Sequence, residues 1–176
     1  MWRKIGLISF PSGKVIISDP SADAPVPGET FSTNIAVNID PGPWMASYLF
    51  DSKEKRVKRL SIQHSKKLVA KGMPRIIGNV GVDAGMAGIF DAPHFPKGPR
   101  YLDPEDKWYK DISNRLWRKS NMATATLVPS GVVSRSGWGD GIYDVIAWGK
   151  PGQISRIDLV YIDEPSCVEL LKSVIT

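Results

Sequence analysis

The chain contains very few of the residues that build disulfide frameworks and zinc sites. Among its 176 residues, Cys167 is the single cysteine, and His64 and His94 are the two histidines. One cysteine excludes an intramolecular disulfide, and it cannot complete a zinc site, which would need two or more ligands beyond the histidines. We therefore expect neither a disulfide-stabilised fold nor a zinc centre, and we interpret Cys167 as a small buried residue or a tail residue.

Long apolar segments are also missing. No run approaches the roughly 18 residues that a membrane-spanning helix needs. The opening residues, MWRKIGLI, contain no apolar region of signal-peptide length. The sequence therefore predicts a cytoplasmic protein without a membrane partner.

Several motifs of well-known enzymes and ion-binding proteins are absent. The chain has no G-x-x-x-x-G-K-[ST] phosphate loop, no D-x-D-x-D-G calcium loop and no G-x-S-x-G nucleophile elbow. A catalytic triad that uses His94 is formally possible, but no motif identifies a nucleophile for it. The glycines between 75 and 91 are not followed by the helix of a dinucleotide site, because Pro93 and Pro96 break it. We interpret 75–91 as a buried strand.

What the chain does contain favours short strands and turns. It has 16 glycines and 14 prolines, with ordinary fractions of hydrophobic (42%) and charged (23%) residues. At 176 residues it is long enough to bury a core, and we expect a single domain over 1–176. The formal net charge of +5 can steer anionic partners but says nothing about the fold.

Alternation of apolar and polar residues predicts most of the strands. Residues 30–39 alternate cleanly, with Phe31 and Ile35 on one face. The alternation breaks between Val57 and Leu60, which indicates a bulge. Turns rich in Gly, Pro and Asp join other segments into hairpins. The predicted hairpins join 5–10 to 14–18, 44–50 to 55–63, 123–128 to 132–135 and 143–148 to 154–162, and a short terminal helix is expected at 166–174.

One segment has the signature of a longer helix. Asp103 is a suitable N-cap, Pro104 suits the first helical position, and an apolar stripe that includes Trp108 and Trp117 follows at near-helical spacing. We interpret the aromatic residues of this stripe as core. The expected fold class is mainly antiparallel β, at the margin of α+β. Two sheets pack as a sandwich or open barrel, and one helix at about 103–119 covers one end.

The most distinctive stretch is 136–149, SGWGDGIYDVIAWG, which holds four glycines and two tryptophans. Glycine beside aspartate is typical of sharp turns and of backbone that something approaches closely. Together with V-D-A-G at 82–85 and G-K-V-I-I-S-D-P at 13–20, this run resembles a bacterial family catalogued only as a domain of unknown function. The resemblance spans about residues 5–163 and implies a fold but no activity. The chain departs from the family at Asp144, where proline is common.

The aspartates of these motifs permit two interpretations. If the hairpin ends converge, several carboxylates could hold Mg²⁺ or Ca²⁺ and activate a water for hydrolysis. Alternatively, each aspartate caps a turn by accepting backbone N–H bonds, which is the interpretation that we favour. The residues concerned are Asp19, Asp83, Asp91, Asp140 and Asp144.

A basic stretch runs from Lys53 to Lys71 and contains eight lysines and arginines. Such a stretch could bind nucleic acid or an acidic partner. It lacks the interleaved aromatic residues on which single-strand binders stack bases. We favour the alternative of a solvated edge strand, whose lysines prevent edge-to-edge pairing.

Three aromatic residues of the distinctive stretch, Trp138, Tyr143 and Trp148, suggest a pocket. On a strand, Tyr143 and Trp148 face opposite sides because their separation is odd, so one should be core and the other more exposed. An exposed aromatic ring beside glycine-rich backbone and an aspartate suits a small-ligand or peptide pocket. The alternative is that all three rings fill the core.

From these observations we expect a non-enzymatic binding module for a small polar molecule or a partner protein, a class that includes immunity and defence partners. Its pocket would be formed by the Asp83 and Asp140 loops. The alternatives are a metal-dependent hydrolase that uses the same acids and a nucleic-acid binder that uses the basic stretch. No cofactor and no metal ligand is assigned. The predicted ligand-binding residues are Asp83, Gly85, Asp91, Trp138, Asp140 and Tyr143.

Overall fold

A computed structural model describes residues 1–24, 34–67, 74–97, 106–117 and 124–162. Within these ranges the chain forms eleven β-strands, one α-helix and a short 3-10 turn at Ala92–His94. The strands and the helix are β1 (Trp2–Phe10), β2 (Lys14–Ser18), β3 (Ile35–Asn38), β4 (Gly42–Asp51), β5 (Arg56–His64), β6 (Arg75–Val82), β7 (Met86–Asp91), α1 (Lys107–Trp117), β8 (Ala125–Val128), β9 (Gly131–Arg135), β10 (Gly141–Trp148) and β11 (Arg156–Val160).

The strands form two sheets. The six-stranded sheet has the order β1-β4-β5-β11-β10-β6, and the five-stranded sheet has the order β3-β2-β7-β9-β8. Every paired strand is antiparallel to its neighbour. The predicted fold class, mainly antiparallel β with two sheets in a sandwich or open barrel, is confirmed.

The core lies between the two sheets because alternate side chains of each strand point inward. The five-stranded sheet contributes Val15, Ile17 and Ile89, while the six-stranded sheet contributes Leu60 and Ile62, and all are fully buried. Residues on the opposite faces of the same strands do not join this core. Alternation along each strand therefore decides which residues hold the two sheets together.

The helix α1 covers the outer face of the five-stranded sheet. Its buried residues Ile112 and Leu116 pack in a second apolar cluster with Phe90 and Val133. The covering helix is thus confirmed, and it lies over a sheet face rather than at an end of the sandwich. Its predicted cap at 103–105 falls outside the described residues, as does the short helix expected at 166–174.

Two glycines make room for the ring of Phe90 within this second cluster. A Cβ atom at Gly88 would come within 2.5 Å of the Phe90 ring, and a Cβ atom at Gly131 would come equally close. Gly131 is also the cross-strand partner of Phe90. The absence of a side chain at these positions lets the ring lie flat on the sheet beneath α1.

Three of the four predicted hairpins are confirmed. The pairs β4–β5, β8–β9 and β10–β11 are each joined by a short turn and hydrogen-bonded in register. The bulge expected between Val57 and Leu60 is also present, because Leu49 pairs with Arg59 while Phe50 pairs with Val57. Lys58 is the extra residue. The described part of the 30–39 strand, β3, turns Ile35 toward the core as predicted.

Three predictions about strand placement are wrong. The expected hairpin of 5–10 with 14–18 does not form, because β1 pairs with β4 in one sheet and β2 pairs with β3 and β7 in the other. The segment 75–91 is two strands, β6 and β7, which belong to different sheets. The basic strand β5 is not an edge strand, since it lies between β4 and β11. The turn predicted after Phe10 is present, whereas the turn between Val82 and Met86 was missed; in all three cases the position of a strand depends on pairing with distant strands.

Candidate functional site

A buried carboxylate, that of Asp19, connects the two sheets. Asp19 follows β2 and is 1% exposed. Its Oδ2 atom accepts hydrogen bonds from the backbone amides of Asp83 (2.8 Å) and Ala84 (2.7 Å), in the turn after β6. Its Oδ1 atom accepts from the Ser21 amide and hydroxyl, each at 2.7 Å. Asp19 therefore fixes the Asp83 turn at the corner between the sheets, where it acts as a turn cap.

The loop before β10, residues 136–140, is hydrogen-bonded to that turn. The amide of Gly85 donates to Asp140 Oδ1 at 3.1 Å, and the Ser136 amide donates to the Gly85 carbonyl at 3.0 Å. Gly85 has φ +63°, a backbone conformation that suits glycine. The two distant motifs that carry Asp83 and Asp140 thus lie side by side.

Further hydrogen bonds hold the 136–140 loop in one shape. The Gly139 carbonyl accepts from the Ser136 hydroxyl at 2.6 Å and from the Tyr143 hydroxyl at 2.8 Å. The Gly139 amide donates back to the Ser136 carbonyl. Trp138 lies at the tip of this loop and is 57% exposed, whereas Tyr143 is buried in the core. The loop therefore presents one indole ring on a fixed support.

An open cleft of about 450 Å³ lies beside this indole. Its volume falls within the range of small-ligand sites. Strands β4, β5 and β9, the loop at 136–140 and the end of α1 all contribute to it. The lining residues are Phe50, Glu54, Lys55, Arg56, Val57, Gly85, Trp117, Thr124, Arg135, Ser136, Gly137, Trp138 and Gly139.

Two arginine–tryptophan pairs line the cleft. The Arg56 guanidinium lies 4.6 Å from the centre of the Trp138 ring, and the Arg135 guanidinium lies 4.1 Å from the centre of the Trp117 ring. Each arginine is also held by a backbone carbonyl, Arg56 by that of Gly137 at 2.7 Å and Arg135 by that of Leu116 at 3.2 Å. Both contacts are cation–π interactions, which orient the guanidinium groups and the indole rings together.

Arg135 is partly buried and has no acidic partner within the described residues. Its Nε atom is shielded from solvent and makes no hydrogen bond in that part of the chain. Burial lowers the pKa of Arg135, because a charged guanidinium loses hydration there. The guanidinium nevertheless stays protonated at neutral pH. Among the described residues, no neighbouring carboxylate neutralises this cation in the cleft.

The predicted acid cluster does not assemble in the described residues. No group of three acidic, histidine or cysteine side chains is close enough there to hold a metal ion. Asp91 ends β7, five residues beyond Met86, so at about 3.3 Å per residue the strand places it ~17 Å away from the Gly85 turn. Its carboxylate accepts from the Ser12 hydroxyl at 2.6 Å and contacts His94 Nδ1 at 3.1 Å. Asp144 contacts the Asn79 side chain.

The described part of the basic stretch is not one continuous patch. Lys58 forms an ion pair with Asp51 at 3.1 Å, and Lys67 forms one with Asp40. Arg59 is 8% exposed. Arg56 contacts Trp138, so an aromatic partner does reach this stretch, although it comes from a loop far away in sequence. Lys71 lies outside the described residues.

The aromatic prediction is confirmed for β10, since Tyr143 is core and Trp148 lies on the outer face of its sheet, partly exposed. The interpretation of Trp117 as core is wrong, because it is 43% exposed and lines the cleft. Its position at the end of α1, past the buried stripe, was the signal available in the sequence. Nothing in the sequence pointed to Arg135, because it reaches Trp117 only through the packing of α1 over β9.

The chain matches no protein-family model, no curated protein and no solved structure. The resemblance to a family of unknown function therefore stays a prediction. In the ranges that the structure describes, no helix has both the length and the apolar character needed to cross a bilayer.

Proposed function

We propose that this protein is a non-enzymatic binding module and that the cleft at Trp117 and Trp138 is its binding site. The observation that carries this proposal is the pair of half-exposed indole rings in one cleft, each oriented by an arginine. Large aromatic surface exposed beside fixed polar groups is typical of ligand sites rather than of ordinary protein surface.

The rigidity of the 136–140 loop supports the same proposal. Gly137 is buried, and a Cβ atom there would lie 2.6 Å from the Val57 carbonyl, so the loop packs directly against β5. Its hydrogen bonds to Gly85 and Tyr143 hold Trp138 without help from a ligand. A preorganised site loses less conformational entropy on binding, which favours affinity.

Among the ligand classes expected from the sequence, a small polar molecule suits the cleft better than a protein segment. Its volume of about 450 Å³ is that of a small-molecule pocket. The bordering polar groups include Glu54, Lys55 and Thr124, which could fix the orientation of such a ligand.

The proposal is tested by NMR screening of isotope-labelled protein with a library of neutral, cationic and anionic ring fragments. The chain has six tryptophans, and their indole N–H signals report on local binding. We expect fragments that shift the Trp117 and Trp138 signals and that lose binding in Trp138→Ala. Trp2→Ala is the matched control, because Trp2 also contacts an arginine, Arg156 at 4.8 Å, but does not line the cleft.

Two results would overturn the proposal. One is a library in which no fragment shifts the cleft signals. The other is fragment binding that persists unchanged in Trp138→Ala while Trp2→Ala abolishes it.

A further inference from the structure

The charges of the cleft narrow the chemistry of its ligand. Among the described residues that line it, three are cationic (Lys55, Arg56 and Arg135) and one is acidic (Glu54). Glu54 and Lys55 are exposed, whereas Arg135 is partly buried. The cleft is therefore net positive, and its least hydrated charge is a guanidinium.

We propose that the cleft binds a small ligand that carries a flat ring and one anionic group, with Trp138 stacking on the ring and Arg135 binding the anion. This inference rests on the proposed function and specifies its ligand class. A guanidinium offers five N–H donors in a planar arrangement that matches carboxylates and phosphates. In Arg135 the described partners account for one of these donors, through the Leu116 carbonyl.

The burial of Arg135 explains why an anion, rather than a neutral group, completes this site. A charge that is partly removed from water without a counter-ion is unfavourable, and a bound anion relieves that cost. Arg135 makes no ion pair in the described residues, in contrast to Arg156, whose side chain contacts the Asp158 carboxylate at 2.7 Å. Within the described part of the chain, a carboxylate therefore neutralises Arg156 but none neutralises Arg135, which lines the cleft.

The two exposed tryptophans are the reason for proposing a ligand with a flat ring. Trp117 and Trp138 are 43% and 57% exposed, so an indole surface is available at two places in the cleft. Aromatic rings stack favourably in offset or edge-on arrangements, and stacking does not depend on the exact identity of the ring. A ligand that joins ring and anion would use both features at once.

Both phosphate and carboxylate satisfy this chemistry, and the experiment distinguishes them. Adenosine monophosphate and indole-3-acetate are titrated into the full chain, with adenosine and indole-3-acetamide as neutral ring compounds that lack the anion. Acetate and inorganic phosphate serve as anions without a ring. NMR shifts of the Trp117 and Trp138 indole signals report binding.

We expect at least one anionic ring probe to bind about tenfold or more tightly than its counterpart without the anion, which is the effect of one charge-assisted hydrogen bond. Arg135→Gln should abolish this preference while weaker ring binding remains. Lys66→Gln, which removes the same charge from an exposed position outside the cleft, should retain it. If Arg135→Gln fails to fold, Arg135→Lys, which keeps the charge but lacks the planar set of donors, should weaken the preference.

If adenosine and indole-3-acetamide both bind as tightly as their anionic counterparts, or more tightly, the anion inference is overturned and the binding module stays intact, provided that Trp138→Ala abolishes that binding. A folded Arg135→Gln variant that keeps the full anion preference, or an Arg135→Lys variant that keeps it where the glutamine variant does not fold, would also overturn it. Failure of every probe and of the fragment library at the cleft would remove the proposed function and this inference together.

Discussion

Asp140 and Gly85, which are 55 residues apart in the chain, are joined by a hydrogen bond of 3.1 Å from the Gly85 amide to Asp140 Oδ1. This bond links the turn between the two sheets to the loop that carries Trp138. The Gly85 carbonyl also accepts a hydrogen bond from the Ser136 amide, so both the amide and the carbonyl of Gly85 connect the two segments. The position of the exposed indole therefore depends on an aspartate that does not itself line the cleft.

Replacing Asp140 should loosen that loop. We expect Asp140→Ala to leave the Gly85 amide without an acceptor, to speed its hydrogen exchange and to broaden the Trp138 indole signal. The loss of stability should be small, about 1 kcal/mol, because Asp140 is exposed and water can replace the bond. Asp140→Asn, which keeps an oxygen acceptor, is the control. Unchanged exchange at Gly85 in the alanine variant would contradict this account.

Asp19 should be far more important for stability. Asp19→Ala removes the acceptor of four hydrogen bonds at a site that is 1% exposed. Leaving four partly buried donors without their acceptor should lower the free energy of unfolding by about 3 kcal/mol. Chemical denaturation measures this loss. Asp83→Ala, which removes only an exposed carboxylate from the same turn, should stay within about 0.5 kcal/mol of the parent chain.

The sequence was sufficient to predict features that depend on residues close together in the chain. The hairpin β4–β5 and its bulge at Lys58 follow from local alternation and a polar turn. The pairing of β1 with β4 could not be predicted in this way, because Pro11 and Gly13 signal a turn but do not say whether the chain folds back or crosses to the other sheet. That choice depends on which distant strand offers an unpaired edge.

The residues of the cleft also divide into those that the local sequence predicts and those that only tertiary packing brings together. Trp138, Gly85 and Asp140 were predicted from the density of glycine, aspartate and aromatic residues, and they do lie together. Trp117 and Arg135 were missed, because one belongs to a helix and the other to a strand, and only their packing brings the guanidinium to 4.1 Å from the ring. Composition marks the loop that carries a site, whereas the opposite side of the site depends on tertiary packing.

The close approach of the Phe90 ring to Gly88 leads to a specific prediction about this glycine. A Cβ atom at Gly88 would lie 2.5 Å from the Phe90 ring and 2.6 Å from the Val132 carbonyl. We expect Gly88→Ala to destabilise the protein by about 3 kcal/mol, since overpacking forces shifts in both the ring and the backbone.

A double-mutant cycle with Phe90→Leu separates these two causes. The smaller side chain should relieve the ring clash, so the cost of Gly88→Ala should be lower in the Phe90→Leu background than in the parent chain. Strict additivity in denaturation experiments would show that the Val132 carbonyl alone opposes the substitution.

Two buried tyrosines should make the folded protein less stable at high pH. Tyr161 is 4% exposed, and its hydroxyl contacts Ser134 Oγ at 2.9 Å. Burial raises the pKa of Tyr161 and, to a smaller extent, the pKa of Tyr143, because a phenolate would lose its hydration in the core. The two rings also pack edge to face at 5.2 Å, so both phenols share one apolar environment.

The direction of the effect follows from proton linkage. Below about pH 10 both the folded and the unfolded states keep these protons, and the stabilisation is fully present. Above about pH 10 the unfolded state loses them first, so the free energy of unfolding should fall by up to about 1.4 kcal/mol per pH unit for each tyrosine. Tyr161→Phe should make this fall shallower, as measured by urea denaturation between pH 8 and about 11. Ser134→Ala is the control, because it removes the hydroxyl partner but keeps the phenol and should therefore keep the slope. Parallel curves for Tyr161→Phe and the parent chain would show that this tyrosine does not govern the alkaline loss.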